Sequence, residues 1–323
     1  MNRTTRPAAS LSIDLDNLWS YLKTHGDASW QARPTYLDAV VPPLLALLDS
    51  LALKLTVFVV GADAADPRNR NALRALAAAG HEFGNHSFEH EPWLGRYPRE
   101  ALEREIVQTD AAIEAACGQR PVGFRGPGYS WSAELLEVLK DQGHAFDAST
   151  LPTFIGPLAR AYYFRGTTLT AAERETRREL FGRFSDGLRP NRPYRWQLRG
   201  DRTLLELPVS TFPLLRTPFH PSYLAWLAGL SRPLMSAYLD AALLACRASG
   251  TPPSVLLHPL DLIGGDVVPE LSFFPGMAKS SHEKSALLRE ILERIAERFT
   301  LLPMGEFARR IEASGHLPTR IPD

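Results

Sequence analysis

The sequence predicts an α/β fold in which parallel strands are covered by helices. Short β-branched runs alternate with longer segments of helical periodicity from about residue 9 to 150, and again after about 200, the pattern of strand–helix crossover units. The polar motifs also each follow the end of an expected strand, where parallel folds gather ligands and catalytic groups. With 323 residues, 45% of them hydrophobic and 22% charged, the chain can build one large core and is read as a single domain.

Residues 9–13 form the first expected strand, ending at Asp14 and Asp16. Residues 36–50 have helical spacing, with Pro42-Pro43 expected to kink or restart the helix. Residues 54–60 (KLTVFVV), closed by Gly61, read as a strand buried on both faces. An alanine-rich helix over 69–79 stops at Gly80, and a short strand at 81–83 leads into His86. A long amphipathic helix over 98–116 opens on Pro98 and ends at Gly118. A strand at 122–125, a helix at 132–142 ending before Gly143, and a strand at 145–147 follow. Residues 150–200 read as an insertion, with Arg174, Arg177, Arg178, Arg183, Arg189, Arg192 and Arg195 among scattered Pro and Gly. They form either a loop-plus-helix cover over the strand ends or a solvated face. A strand at 203–208 and an apolar helical segment over about 212–249, interrupted at Arg232-Pro233 and Asp240, lead to a strand at 254–257. The chain closes with a helix at 282–298, a strand at 299–302 and a helix at 305–314.

Lys+Arg and Asp+Glu balance at 36 each, so no field-driven attraction to nucleic acid or anionic lipid is expected. Cys117 and Cys246 sit in apolar helical contexts and read as small buried hydrophobes, not as a disulfide or zinc site. Residues 1–9 carry no apolar run after their arginines, and no stretch reaches the ~18 apolar residues of a transmembrane span. The expected address is the cytoplasm.

The centre of the sequence is Gly84-Asn85-His86-Ser87-Phe88-Glu89-His90. Histidines four apart share one side of a helical turn and can turn two imidazoles onto one cation. The bland alternative is a loop edge with one exposed and one packed histidine. A third candidate ligand stands upstream in Ser12-Ile13-Asp14-Leu15-Asp16-Asn17.

In order, the motifs resemble those of the polysaccharide deacetylase superfamily (the NodB-homology domain, carbohydrate esterase family 4). Asp14-Leu15-Asp16 is similar to its aspartate pair, and His86-Ser87-Phe88-Glu89-His90 to its H-[ST]-x-x-H motif. Phe124-Arg125-Gly126-Pro127-Gly128-Tyr129 is close to its R-x-P motif, and Phe146-Asp147-Ala148-Ser149 and Leu256-Leu257-His258-Pro259 stand where its last two fall. The resemblance implies a distorted (β/α) barrel of about seven parallel strands, a bound divalent metal and removal of an N-acyl group from a sugar. Ala148 replaces a tryptophan usual in many members. The Asp-x-Asp spacing looks more like intracellular relatives and an undecaprenyl-linked aminoarabinose deformylase than like chitin and peptidoglycan enzymes.

The chemistry can be argued beside the name. A catalytic metal needs about three protein ligands and an open position, which Asp16, His86 and His90 can provide. Two imidazoles and a carboxylate suit zinc first, with cobalt, manganese or nickel also fitting. Asp14 stays off the ion and acts as base toward water, the roles that the resemblance also assigns. Arg125 is the expected partner of Asp14, catalytic or structural. The family suggests the Tyr129 amide as an oxyanion donor. His258 is the expected general acid, with a satisfied core histidine as the alternative, and either Asp261 or Asp147 could orient it. Asp147 also counts with Tyr129 as a substrate-binding candidate. Asn17 and Trp19 can shape the pocket, Trp19 more as core.

The expectation is a metal-dependent hydrolase of an N-acyl, foremost N-acetyl, amino sugar or glycan. One alternative is an N-deformylase of a lipid-linked sugar at the cytoplasmic membrane face. Phe219, Tyr223, Trp226 and Leu230 motivate it, and would equally serve as core or a dimer interface. The other is a non-catalytic carbohydrate-binding protein on the same fold.

Overall fold

A computed structural model describes residues 6–158, 175 and 184–322. Of the arginines in the expected insertion, Arg174, Arg177, Arg178 and Arg183 lie outside the described residues. The first half runs β1 (Ala8–Asp14), α1 (Leu18–His25), α2 (Leu37–Ser50), β2 (Thr56–Val59), α3 (Gly61–Ala65), α4 (Arg70–Ala78), β3 (Glu82–Asn85), α5 (Arg99–Cys117), α6 (Ala133–Asp141) and β4 (Phe146–Asp147). The second half has β5 (Tyr194–Gln197), β6 (Thr203–Glu206), α7 (Pro221–Leu230), α8 (Arg232–Ser249), β7 (Ser254–Leu257), α9 (Ser281–Arg298), β8 (Thr300–Leu302), α10 (Met304–Ala313) and β9 (Thr319–Arg320).

The fold is α/β with a mostly parallel sheet, as the alternation predicts. β1 is central, pairing in parallel with β2, β7 and, along its first half, β8. β3 extends the sheet beyond β2. From Asn85 the order continues through parallel bridges to Phe124 and on to Asp147, then from β4 to β6. The two ends of this order meet where the Ser210 amide donates to the Ser254 carbonyl at 3.2 Å.

The strand period decides what lies on each face. Ala9, Leu11 and Ile13 join Val57 and Val59 in the large cluster under α2, α4, α8 and α9. The alternate residues Ser12 and Asp14 point the other way, toward Arg125. Phe58 and Phe146 meet edge to face at 6.5 Å in a second cluster completed by Met304 and Phe307 of α10. The α10 amides of Met304 and Gly305 donate to Thr56 Oγ1 and Glu82 Oε1, each at 2.7 Å.

Several expectations need correction. Pro42 and Pro43 lie inside α2 without dividing it. The segment at 122–125 is no strand, because only Phe124 makes bridges. β5 and β9 were not anticipated, and β5 is antiparallel to β6. The apolar segment breaks at Ser231, which caps α8, but not at Asp240, which faces outward and pairs with Arg294 and Arg298. Cys117 is half-buried and Cys246 buried; both are free, and burial pushes each thiol up to about 12. Among the described residues no helix is long and apolar enough to cross a membrane.

Close strand packing at the site's base gives a stability test. A Cβ on Gly84 would stand 2.4 Å from Phe58 Cδ1, and the Phe58 ring is wedged against Arg125 and Phe146. Gly84→Ala should cost about 1–3 kcal/mol by overpacking, read as a lower urea midpoint at unchanged slope. An unchanged midpoint would mean that the ring moves freely.

Candidate active site and metal centre

Four motif groups sit at or just past strand ends. Asp14 closes β1, His86 follows β3, Arg125 follows the Phe124 bridge and His258 follows β7. Asp16 lies two residues beyond β1, in a turn where the Tyr36 hydroxyl donates to its carbonyl at 2.5 Å.

Asp16 Oδ1 stands 3.3 Å from His86 Nε2 and 3.0 Å from His90 Nε2, and the three donor atoms lie within 4.8 Å of one another. His86 Nδ1 donates to the Arg125 carbonyl at 2.6 Å, which aims Nε2 at Asp16. A carbonyl and a carboxylate both accept, so this ring either carries two protons or turns its Nε2 lone pair to a cation. Burial opposes charge on His86, yet Asp14 and Asp16 raise its pKa above the usual value. Burial likewise opposes the Asp16 carboxylate, but His90 and His86 hold it well below the usual range. Three convergent donors of these types fit a divalent ion.

The histidines do not converge through a helical turn as their spacing suggested. Residues 86–90 form a loop in which Ser87 and His90 have left-handed φ of 58° and 51°, positions that cost about 1–3 kcal/mol each for such residues. Two groups hold this shape. Asn85 Oδ1 accepts from the Ser87 amide at 2.9 Å, and Glu105 Oε2 on α5 accepts from the amides of Phe88 and Glu89 at 2.7 and 3.0 Å.

Arg125 is fully buried. Its Nη1 donates to Asp14 Oδ1 at 2.7 Å and Ser12 Oγ at 2.9 Å, and its Nε to the Ala148 carbonyl at 3.1 Å. The guanidinium also lies 4.4 Å from the centre of the Phe58 ring. Ser12 had an available signal, since it is two residues before Asp14 and shares its face.

The remaining candidates divide. The His258 side chain is 22% exposed, with Nδ1 4.0 Å from Asp261 Oδ2. Asp261 accepts from the His258 amide at 2.8 Å and the Ser222 hydroxyl at 2.5 Å, so Asp261, not Asp147, stands behind His258. Asp147 is 1% exposed and accepts from the Ser149 hydroxyl at 2.5 Å, which accepts from the Gly126 amide at 2.8 Å. It supports the loop from beneath and does not face the opening, a correction to its expected substrate contact. Burial drives the Asp147 carboxyl up, and burial with the neighbouring Asp147 drives Glu206 well up. The Tyr129 amide, expected to face an oxyanion, donates instead to the Gly126 carbonyl at 3.0 Å. The phenol lies among Asp14, Arg125 and Asp16, and burial raises its pKa.

His220, just before α7, was missed and belongs to no motif. Its ring is 6.5 Å from that of His258, and burial pushes it down to about 3. Asp63 was also missed. Its Oδ1 accepts from Asn17 Nδ2 at 2.7 Å and Trp19 Nε1 at 2.9 Å. Asn17 in turn caps α1, and Trp19, 1% exposed, packs edge-on to His90 at 6.4 Å. Both thus shape the Asp16 turn from behind.

The polysaccharide deacetylase family model matches residues 27–146, which include His86, His90 and Arg125 but not Asp14, Asp16 or His258. A chitooligosaccharide deacetylase of Sinorhizobium fredii (strain NBRC 101917 / NGR234) is 33% identical over 133 residues, 39% of this chain and 60% of that protein. A chitooligosaccharide deacetylase of Rhizobium leguminosarum bv. trifolii is 38% identical over 100 residues, 30% and 45% of the two. The chain thus spans about half the length of these relatives. A crystal structure from Mycobacterium smegmatis, described as that of a polysaccharide deacetylase, superposes with a TM-score of 0.63 at 22% identity, over 98% of this chain and 94% of that one; this is a likeness of fold.

Asp63 is 3% exposed and burial pushes its carboxyl up to about 7. Above its unfolded value of about 3.9, the folded state binds the extra proton, so stability falls as pH rises from about 4 to 7 and then levels. With chelator present, Asp63→Asn should gain on the wild type by on the order of 2 kcal/mol between pH 5 and pH 8 in urea unfolding. Parallel pH profiles would show that Asp63 does not carry this charge.

Proposed function

We propose that the chain, similar to the polysaccharide deacetylase superfamily in its family-model match and relatives, is a metal-dependent hydrolase removing an N-acyl group, foremost N-acetyl, from an amino sugar or glycan. The carrying observation is the convergence of Asp16, His86 and His90 beside an Asp14 that Arg125 holds off the donor set. The chitooligosaccharide deacetylase names of the relatives support the acetyl group and the amino sugar.

Asp16, His86 and His90 would hold a divalent ion, zinc by donor type, which supplies Lewis acidity toward water and the acyl carbonyl. Asp14 takes the proton from the attacking water. Its Oδ1 is tied to Arg125 at 2.7 Å, which keeps the carboxylate aimed. His258 gives a proton to the departing amine, with Asp261 behind it stabilising the imidazolium. The half-open His258 ring and the buried Asp261 suit that pairing.

Base and ligand separate by mutation. Asp14→Asn should abolish most acetate release from an N-acetyl glucosamine oligomer while leaving about one zinc per chain by elemental analysis. Asp16→Ala should lose the metal as well. The opposite metal contents would exchange the two roles, and a metal-free wild type with no acyl release would favour a binding protein.

The leaving group tests His258. An amine departs poorly unless protonated, whereas an aryl oxide leaves unaided. His258→Ala should cut amide hydrolysis by roughly 10²–10⁴-fold and aryl acetate hydrolysis much less. Equal losses on both substrates would remove the acid role.

A further inference from the structure

One face of α5 braces the loop that carries His86 and His90. Glu105, Ile106, Thr109 and Asp110 stand at i, i+1, i+4 and i+5, which is one side of a helix. Ile106 and Thr109 are fully buried there and Asp110 is 8% exposed. Thr109 backs onto α3, where a Cβ on Gly61 would come 2.5 Å from its Oγ1. α3 in turn donates to the loop, from the Gly61 and Ala62 amides to the Ser87 and Phe88 carbonyls at 2.9 and 3.1 Å. The His86 amide reaches the Val59 carbonyl at 3.1 Å, and Glu105 takes the Phe88 and Glu89 amides. These bonds pair most of the loop's backbone. The Ser87 amide relies on the Asn85 side chain alone.

A carboxamide fills the same space in either of two orientations, which differ in what each end can bond. Asn85 Oδ1 faces the Ser87 amide at 2.9 Å. Its Nδ2 donates to the Ile106 carbonyl at 3.0 Å and to Asp110 Oδ1 at 2.7 Å. Turned over, Nδ2 would meet the Ser87 N–H donor to donor, and Oδ1 would meet two acceptors. Asn85 is fully buried, so solvent offers no substitute partner. The Ile106 carbonyl already belongs to the helical ladder, which leaves Asp110 as the acceptor that selects the orientation. Behind Asp110 the buried His144 brings Nε2 to 3.2 Å from Oδ2, without hydrogen-bond alignment, and closes that side of the carboxyl.

The left-handed φ of 58° at Ser87 is part of what turns both imidazoles to one side, and a serine stays in that region only when its surroundings hold it.

We propose that Asp110 is a positioning residue for the candidate metal centre: it fixes the Asn85 carboxamide, whose oxygen holds Ser87 left-handed and keeps His86 and His90 facing Asp16. Its effect on metal affinity rests on the metal-dependent reading of the site, whereas its hold on the loop does not.

The test compares Asp110→Leu and Asp110→Asn with the wild type, all as the whole protein. An asparagine carbonyl can still accept from Asn85 Nδ2; leucine cannot. Amide hydrogen exchange of segment 86–90, measured without metal, should quicken at least about 5-fold in Asp110→Leu. The buried strands β1 and β2 should exchange as in the wild type. Zinc affinity, read by chelator competition, should fall about 10–100-fold in Asp110→Leu, the range for groups that orient metal ligands. Asp110→Asn should keep both properties near wild type, and Asp110→Ala serves if Asp110→Leu does not fold. Equal exchange of 86–90 in wild type and Asp110→Leu would overturn the proposal. So would exchange that quickens evenly along the chain, Asp110→Asn as damaging as Asp110→Leu, or a loosened loop with unchanged zinc affinity. A wild type that binds no zinc would sink the metal-dependent reading, and the exchange comparison would still decide whether Asp110 holds the loop.

Discussion

Everything at the active end of the sheet depends on one buried ion pair, Arg125 with Asp14. The guanidinium is fully buried and reaches Ser12 and Asp14 on β1, the Ala148 carbonyl after β4, Met304 of α10 and the face of Phe58 on β2. Its own carbonyl fixes His86. A charge taken out of water on this scale is tolerated only where nearly every donor finds a partner. One residue thereby links three strand ends with Asp14 and, through its own carbonyl, the candidate metal donor His86.

Three of the seven non-glycine residues with positive φ among the described residues stand near that pair. Ser87, His90 and Tyr129 all have positive φ, and all three border the donor set or the Arg125 loop. Asn85 and Glu105 supply the acceptors that hold the first loop open, while Ser149 and Asp147 brace the second through the Gly126 amide. These bracing groups act on backbone amides of the loops that carry or adjoin the candidate site residues. Glu206, beside Asp147 and held by Thr150 and Trp196, belongs to the same supporting layer. A residue recognised by motif can thus act by positioning alone.

The second half of the chain adds what the strand-end motifs do not. α7 and α8 bring His220 and Ser222 up to His258 and Asp261, and α7 with α9 forms an apolar cleft beside them. The family match ends before this region. The candidate metal donors Asp16, His86 and His90 therefore follow β1 and β3, and the surroundings of His258 are built by the start of α7 and the turn after β7.

The parallel α/β alternation, most helix limits and the strand-end candidates Asp14, Asp16, His86, His90, Arg125 and His258 were legible in the chain alone. These are local properties: the period of 2 put Ser12 and Asp14 on one face of β1, and Gly80, Gly118 and Gly143 stopped their helices with positive φ. Whether Asp147 or Asp261 stands behind His258 was open in the chain, because both follow strand ends. Only the meeting of β7 with α7 chose Asp261. β9 was invisible because it pairs non-locally with β5, and β5, a local hairpin partner of β6, lay inside the stretch read as an insertion; the strand at 122–125 shrank to Phe124, which alone bridges each neighbour. The spacing of His86 and His90 was written in the sequence, but two left-handed residues and not a helical turn carry it. That conformation is unfavourable locally and stands only when Asn85 from β3 and Glu105 from α5 accept the loop's amides.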